Sequence, residues 1–243
     1  MLSYPEMSTI KENLAFCLRR IATAAERVGR EATSVTLVAV AKGFKTPQVL
    51  EALDAGVRNI GENKIQEALL KYDDVNKAAQ SKGVCLNWHM IGHLQTNKVR
   101  QAVRIFCLIH SVDSIRLAEI INKEAAKICK IQYILLEVNV SGELSKYGFS
   151  TDSVQDAFTK IRGLGNLRLQ GLMMVAPLLD DPEKARPAFR RFCQLADDLA
   201  KQRFLPRDYK LSMGMSDDFP VAVEEGATMV RIGRAIFGER KDD

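Results

Sequence analysis

Several things are scarce in this sequence. Cysteine is scattered: Cys17, Cys85, Cys107, Cys129 and Cys193 are odd in number, lie far apart and form no C-x-x-C. That spacing argues against a disulfide framework and predicts buried, reduced thiols. Aromatic residues are 7% of the chain, with one Trp, too few for a base-stacking platform. Basic runs are missing as well. Lys and Arg number 35 against 30 Asp and Glu, interleaved, so a net charge of +5 does not mark a nucleic-acid binder. No apolar run approaches the roughly 18 residues that a membrane span needs. The opening MLSYPEMSTIKENL has no basic segment followed by an apolar core, so no secretory signal is read there. No stretch rich in Pro, Gly or Ser divides the chain. The expectation is one domain over residues 1–243 in a cytoplasmic protein, with neither nucleic acid nor membrane as partner.

Histidine is scarce too. His89, His93 and His110 are the whole set. His89 and His93 stand four apart, but His89 reads as strand and His93 as the loop after it, so the helical face that turns such a pair into metal ligands is absent. No metal site is expected, and His110 reads as a satisfied strand histidine.

What is present is alternation. A helix over 8–29 carries Ile10, Leu14, Leu18, Ile21, Ala25 and Val28 on one face. TLVAVAK, Thr36 to Lys42, is short, apolar and β-branched, and reads as a buried strand. Thr46 is then expected to cap a helix, with Pro47 at its first position. The pattern repeats, with strands at Val57–Gly61, Asn87–Gly92, Ile105–Val112, Ile131–Val140, Leu167–Ala176, Tyr209–Met213 and Thr228–Gly233, each followed by a helical segment. Asp113 is expected to cap one of these helices and Ser216 or Asp217 another. Eight strand–helix units in this length predict an α/β fold, a single (β/α)8 TIM barrel with an extra N-terminal helix. An open doubly wound sheet is the alternative. It would normally carry a glycine-rich loop after its first strand, and Lys42-Gly43-Phe44-Lys45 is not one.

In such barrels the functional groups sit at the C-terminal strand ends. Lys42 follows an apolar strand, where a cation is costly to bury and a neutral amine is a nucleophile. The competing reading is a lysine that snorkels to the rim. Ser212 ends the seventh strand, and Gly233 and Arg234 end the eighth. Gly214 and Gly233 allow close backbone approach, and amides at a helix start suit a dianion. Both glycines could equally serve turns. An aldehyde-reactive lysine beside a phosphate cup suggests pyridoxal 5′-phosphate. Arg231 faces the same mouth if Val230 and Ile232 point outward; otherwise it pairs with Glu224 or Glu225. A guanidinium cannot take a proton from the pyridine nitrogen, so it would leave a weak electron sink. Arg186, Arg190 and Arg191 read as a solvated helix face.

AVAK around Lys42, GEN at Gly61–Asn63 with Gln66-Glu67, WHMIGHLQTNK from Trp88, LSMGMSDD from Leu211 and VRIGRAIFG from Val230 occur in one order. In this the chain resembles the pyridoxal phosphate homeostasis protein family across nearly its full length. The resemblance implies a barrel similar to the N-terminal domain of alanine racemase. It places the cofactor as a Schiff base on Lys42, the phosphate at Ser212, Gly233 and Arg234, Arg231 at the pyridine nitrogen, and Asn63 close to the imine. Lys146 matches a lysine at the site rim in relatives. Position 234 is often a small polar residue there, so the amide of Arg234 is the expected contact, not its side chain. Two functions remain open: a non-catalytic carrier or buffer that delivers cofactor to apo-enzymes transiently, and a racemase-like enzyme. Barrel racemases draw a tyrosine from an additional β-domain that this sequence is not expected to include. The carrier, as a monomer, is therefore the expectation.

Overall fold

The N-terminal helix forms for local reasons. The computed structural model describes residues 9–143, 146–177 and 179–239, and in it α1 spans Ile10–Arg27. Thr9 Oγ1 accepts from Glu12 N at 3.2 Å, and Glu12 Oε2 accepts from Thr9 N at 2.9 Å, a reciprocal capping box. Ile10, Leu14, Cys17, Ile21, Ala24 and Ala25 make its buried stripe. The expected start at residue 8 lies outside the described residues.

From Thr36 onward strands and helices alternate. They are β1 (Thr36–Val40), α2 (Thr46–Asp54), β2 (Asn59–Glu62), α3 (Ile65–Ser81), β3 (Asn87–Met90), α4 (Val99–Ile105), β4 (Leu108–Val112), α5 (Ile115–Ala126) and β5 (Gln132–Asn139). Then come β6 (Phe149–Ser150), α6 (Val154–Ile161), β7 (Leu167–Met173), α7 (Arg186–Lys201), β8 (Lys210–Ser212), α8 (Phe219–Glu224), β9 (Met229–Ile232) and α9 (Arg234–Phe237). All pairings are parallel. The order β1-β2-β3-β4-β5-β7-β8-β9 returns to β1, which closes an eight-stranded barrel. The expected TIM barrel is therefore the fold, and the open sheet is excluded. The two-residue β6 pairs with β5 outside the ring and had no signal in the sequence.

Strand alternation sorts the side chains. Val38, Leu108, Leu135, Met173 and Met229 pack together inside the barrel. The opposite faces, with Ile60, Trp88, Ile109, Leu136, Val230 and Ile232, pack against the helix ring in a much larger cluster. Burial of a large aliphatic side chain is worth about 1.5–3 kcal/mol, so that outer layer carries most of the hydrophobic stabilisation. Val230 and Ile232 do point outward, which turns Arg231 inward.

Several local expectations are corrected. Helix α2 begins at Thr46, with Lys45 at its cap position and Gln48 Oε1 accepting from Lys45 N at 2.8 Å. Ser114, not Asp113, caps α5, its Oγ accepting from Leu117 N at 3.3 Å. Helix α8 is preceded by Asp218, not by Ser216 or Asp217. All five cysteines are free, but Cys85 and Cys129 are exposed. Arg186 is not solvated: it pairs with Glu183, Glu224 and Glu225, while Arg190 pairs with Glu225 and Arg27 with Glu224. Those glutamates are thus taken by other arginines and not by Arg231. No helix among the described residues is long and apolar enough to cross a membrane.

Candidate functional site

Lys42 does not end a strand. β1 stops at Val40, and Ala41–Phe44 forms a tight turn in which Phe44 N donates to Ala41 O at 3.1 Å. Gly43 takes the left-handed conformation there, φ 75°, which glycine adopts without strain. Lys42 occupies the second turn position and is half-buried, so the expectation of a strand-buried cation gives way to an amine at the mouth. It lies in the wall of two cavities. One, of about 190 Å3, includes Val40, Phe44, Gly233, Arg234 and Gly238. The other, of about 710 Å3, includes Asn63, Gln66, Met90, His93, Gln95 and Lys98. Asn63 and Lys42 thus line the same cavity. Gly92 makes room for it: a Cβ there would stand 2.5 Å from Asn63 O.

The smaller cavity is built where β9 meets α9. Ser216 Oγ accepts from Gly233 N and from Ala235 N, both at 3.3 Å, which puts a hydroxyl among backbone N–H groups. Gly233 faces Val40; a Cβ would lie 3.3 Å from Val40 O. The Arg234 side chain turns to Asp217 (2.5 Å) and Glu239 (3.3 Å), which leaves its backbone to the cup. Ser212 and Gly214 are not part of this cup. Ser212 is fully buried within the barrel with its hydroxyl engaged on both sides. Gly214 has φ 89°, and its open side faces α8, where a Cβ would come within 2.6 Å of Ala222 Cβ. The hydroxyl that meets the Gly233 amide is that of Ser216, four residues further along SMGMS. The turn at Gly214 re-aims the chain between the two serines.

Behind the mouth a polar chain runs through the barrel. Arg231 Nη1 donates to Ser212 Oγ at 2.7 Å and Nη2 to Met174 O at 2.9 Å. Ser212 Oγ lies 2.9 Å from His110 Nδ1, His110 Nε2 lies 3.0 Å from His89 Nδ1, and His89 Nε2 lies 3.2 Å from Asn59 Oδ1. Asn59 Oδ1 only accepts, and this sets the direction of the bonds along the chain. Ser212 accepts from Arg231 and turns its O–H to His110 Nδ1. His110 then donates from Nε2 to His89, and His89 from Nε2 to Asn59 Oδ1. Both imidazoles are neutral in this arrangement. Burial lowers His89 to about 4 and His110 well below its usual 6.5, His110 also by the charge of Arg231. Burial lowers Arg231 to about 10, opposed by Asp218 and Glu137, and it stays a cation.

The sequence reading gave Glu137 no role. Glu137, on β5, is opposite β1 in the ring, and burial, reinforced by Asp113, raises it to about 7. A carboxylate inside the apolar run ILLEV was its signal. His93 Nδ1 meets Asp113 Oδ2 at 2.9 Å and its ring stacks on Tyr147 at 3.9 Å. Lys146 pairs with Glu143 at 3.0 Å and borders neither cavity beside Lys42.

An amine on a hydrogen-bonded turn, backbone N–H groups at the start of α9 and a guanidinium inside the ring belong here to a domain of the alanine racemase N-terminal class. The family model described as alanine racemase, N-terminal domain, matches residues 13–241. The chain is 42% identical over 230 residues to the pyridoxal phosphate homeostasis protein of Aquifex aeolicus, covering 95% of this chain and 98% of that one. It is 41% identical over 234 residues to the protein of that name from Pseudomonas aeruginosa, covering 96% and 97%. The solved structure of PipY from Synechococcus elongatus with PLP bound superposes with TM-score 0.79 at 35% identity, covering 95% and 100%. Alanine racemase from Clostridium difficile shares the fold at 15% identity and TM-score 0.69, covering 96% of this chain and 58% of the racemase. The chain belongs to the pyridoxal phosphate homeostasis protein family.

Proposed function

We propose that this protein binds pyridoxal 5′-phosphate, held as a Schiff base on Lys42, and serves as a carrier or buffer in homeostasis of that cofactor. The observation that carries the reading is Lys42 itself, an amine on a stiff turn in the wall shared by the small cup and the larger cavity. The donor set fits the cofactor: an amine for its aldehyde, and a serine hydroxyl with backbone N–H groups for its phosphate. Ser216 and the backbone of Gly233 and Arg234 would hold the phosphate, and Asn63 would border the Lys42 amine. Arg231 would meet the pyridine nitrogen with a donor, not with a carboxylate, and so would not hold a proton there.

Bound in this way the cofactor supplies a masked aldehyde and a conjugated ring. The protein's own residues keep Lys42 in place, hold the phosphate and fix the Arg231 guanidinium. The curated relatives cited above carry the name of a homeostasis protein, not of a racemase. Delivery to apo-enzymes and a monomeric state belong to the same proposal. Glu137, near neutrality across the barrel from β1, is what keeps a racemase-like enzyme as the second reading. Deuterium uptake by L-alanine in heavy water decides between them, with chirality followed in the same sample. The carrier reading expects neither exchange nor racemization at an enzymatic pace. Both together at roughly 1 s⁻¹ or faster would establish the enzyme.

A further inference from the structure

The turn that bears Lys42 is gripped from α3 and β2 by residues of which Glu67 alone borders the larger cavity. Lys71 lies on α3, and its side chain is only 5% exposed. A lysine ammonium has three N–H donors and no acceptor. All three have partners here: Ala41 O at 2.9 Å, Phe44 O at 2.9 Å and the Glu62 carboxylate at 2.5 Å. The two carbonyls are the first and last of the turn, so one buried ammonium ties both of its ends. One helical turn earlier, Glu67 Oε2 accepts from Gly43 N at 2.8 Å, the amide next to Lys42. Residues 67 and 71 are i and i+4 and share one helix face. On the far side, Phe44 stacks on Phe237 of α9 at 4.9 Å.

A buried ion pair is a poor device for stability alone, because desolvation offsets much of its attraction. Glu62 is fully buried at the end of β2, and burial pushes it up to about 7 against the pull of Lys71. The pair has a different use. It supplies a cation from which Phe44 O accepts, and from which Ala41 O, already bonded to Phe44 N, accepts as well.

We propose that Glu62, Lys71 and Glu67 are positioning residues, which clamp the Ala41–Phe44 turn and so hold the Lys42 amine ready for aldehyde capture. The inference rests on the reading of Lys42 as the cofactor amine. Misplacing a reacting group by about 1 Å can cost roughly 100-fold in rate, so a loosened turn shows as slower capture and not as a change in fold.

The test uses the whole protein with pyridoxal as probe, borohydride trapping to time capture on Lys42, amide exchange at Gly43, and a melting curve. Lys71→Met alone would strand the buried Glu62, so the clamp is removed by Glu62→Leu with Lys71→Met. That double variant should stay folded, melting below the parent by no more than the two lost carbonyl hydrogen bonds account for, yet capture pyridoxal roughly 10–100-fold more slowly. Glu67→Leu should speed Gly43 exchange and slow capture, and Glu67→Gln, which still offers an oxygen to Gly43 N–H, should restore both. Unchanged capture in the folded double variant would overturn the clamp. So would equal losses in Glu67→Gln and Glu67→Leu. If the parent itself captures nothing on Lys42, the functional reading falls first, and that control arm separates the two failures.

Discussion

Two serines four residues apart have different surroundings. Ser216 Oγ faces the N–H groups of Gly233 and Ala235, while Ser212 Oγ is spent between Arg231 and His110. If the cup takes a phosphate, Ser216→Ala removes a hydrogen bond to a charged group, a loss of about 1.5–3 kcal/mol. Binding of pyridoxal phosphate, followed by equilibrium dialysis, should weaken accordingly, and binding of pyridoxal much less. Ser212→Ala should cost both ligands alike, because it acts through Arg231. A phosphate-selective loss in Ser212→Ala would reverse the two roles. The sequence could not separate these serines. Ser212 ends β8 and Ser216 follows it, and what parts them is the left-handed turn at Gly214. Lys42 was legible for a simpler reason: a cation directly after TLVAVA has few places to go but the mouth. Glu62 and Lys71 were not legible in this sense. A lysine on an amphipathic helix ordinarily faces water, and nothing local says that this one is buried under the turn that follows β1.

At the scale of elements, the strand–helix alternation was readable because parallel strands buried on both faces are apolar runs and the helices carry a period near 3.6. Caps were read less well. Asp113, in the natural cap position, is instead held by His93, and Ser114 takes over the cap. The short β6 has too few residues to show a period. The loops after β2 and β3 pack so closely that Gly92 has no room for a side chain, a Cβ lying 2.5 Å from Asn63 O and 2.8 Å from Asn63 Cα. Both obstacles are backbone atoms, so Gly92→Ala has to move the segment that carries Asn63. The expected result is a folded protein with a lower melting temperature, by about 1–3 kcal/mol of overpacking, and weaker binding of both pyridoxal and its phosphate. An unaltered affinity in that variant would separate Asn63 from the site.

For the whole molecule, acidification acts on the buried groups in opposite directions. His89 titrates near 4 in the folded protein against an ordinary 6.5, and His110 also titrates well below its ordinary value. Below about pH 6.5 the unfolded chain takes up these protons and the folded one does not, so the histidines weaken the fold as pH falls. Glu137 titrates near 7 against an ordinary 4.5, so the folded chain takes up its proton first. Its contribution is complete below 4.5 and is lost as pH rises through 7. Glu62 acts in the same sense, opposed by Lys71. The two kinds of group offset each other between pH 6.5 and 4.5, which predicts a shallow stability profile for the parent. Glu137→Gln removes one offsetting carboxyl. Its stability should then fall more steeply below pH 6.5, by up to about 1.4 kcal/mol per pH unit. Denaturant melts at several pH values check this, and parallel curves for parent and variant would contradict the assignment.

The central claim is that one amine, on one clamped turn, holds the cofactor, and peptide mapping tests it most directly. The protein is loaded with pyridoxal phosphate, treated with borohydride and digested, and the modified lysines are identified. The account predicts a pyridoxyl group on Lys42, with no more than traces on Lys45, Lys64, Lys98 or Lys146. A label found mainly on any of those other lysines, or spread evenly over the surface, would contradict it.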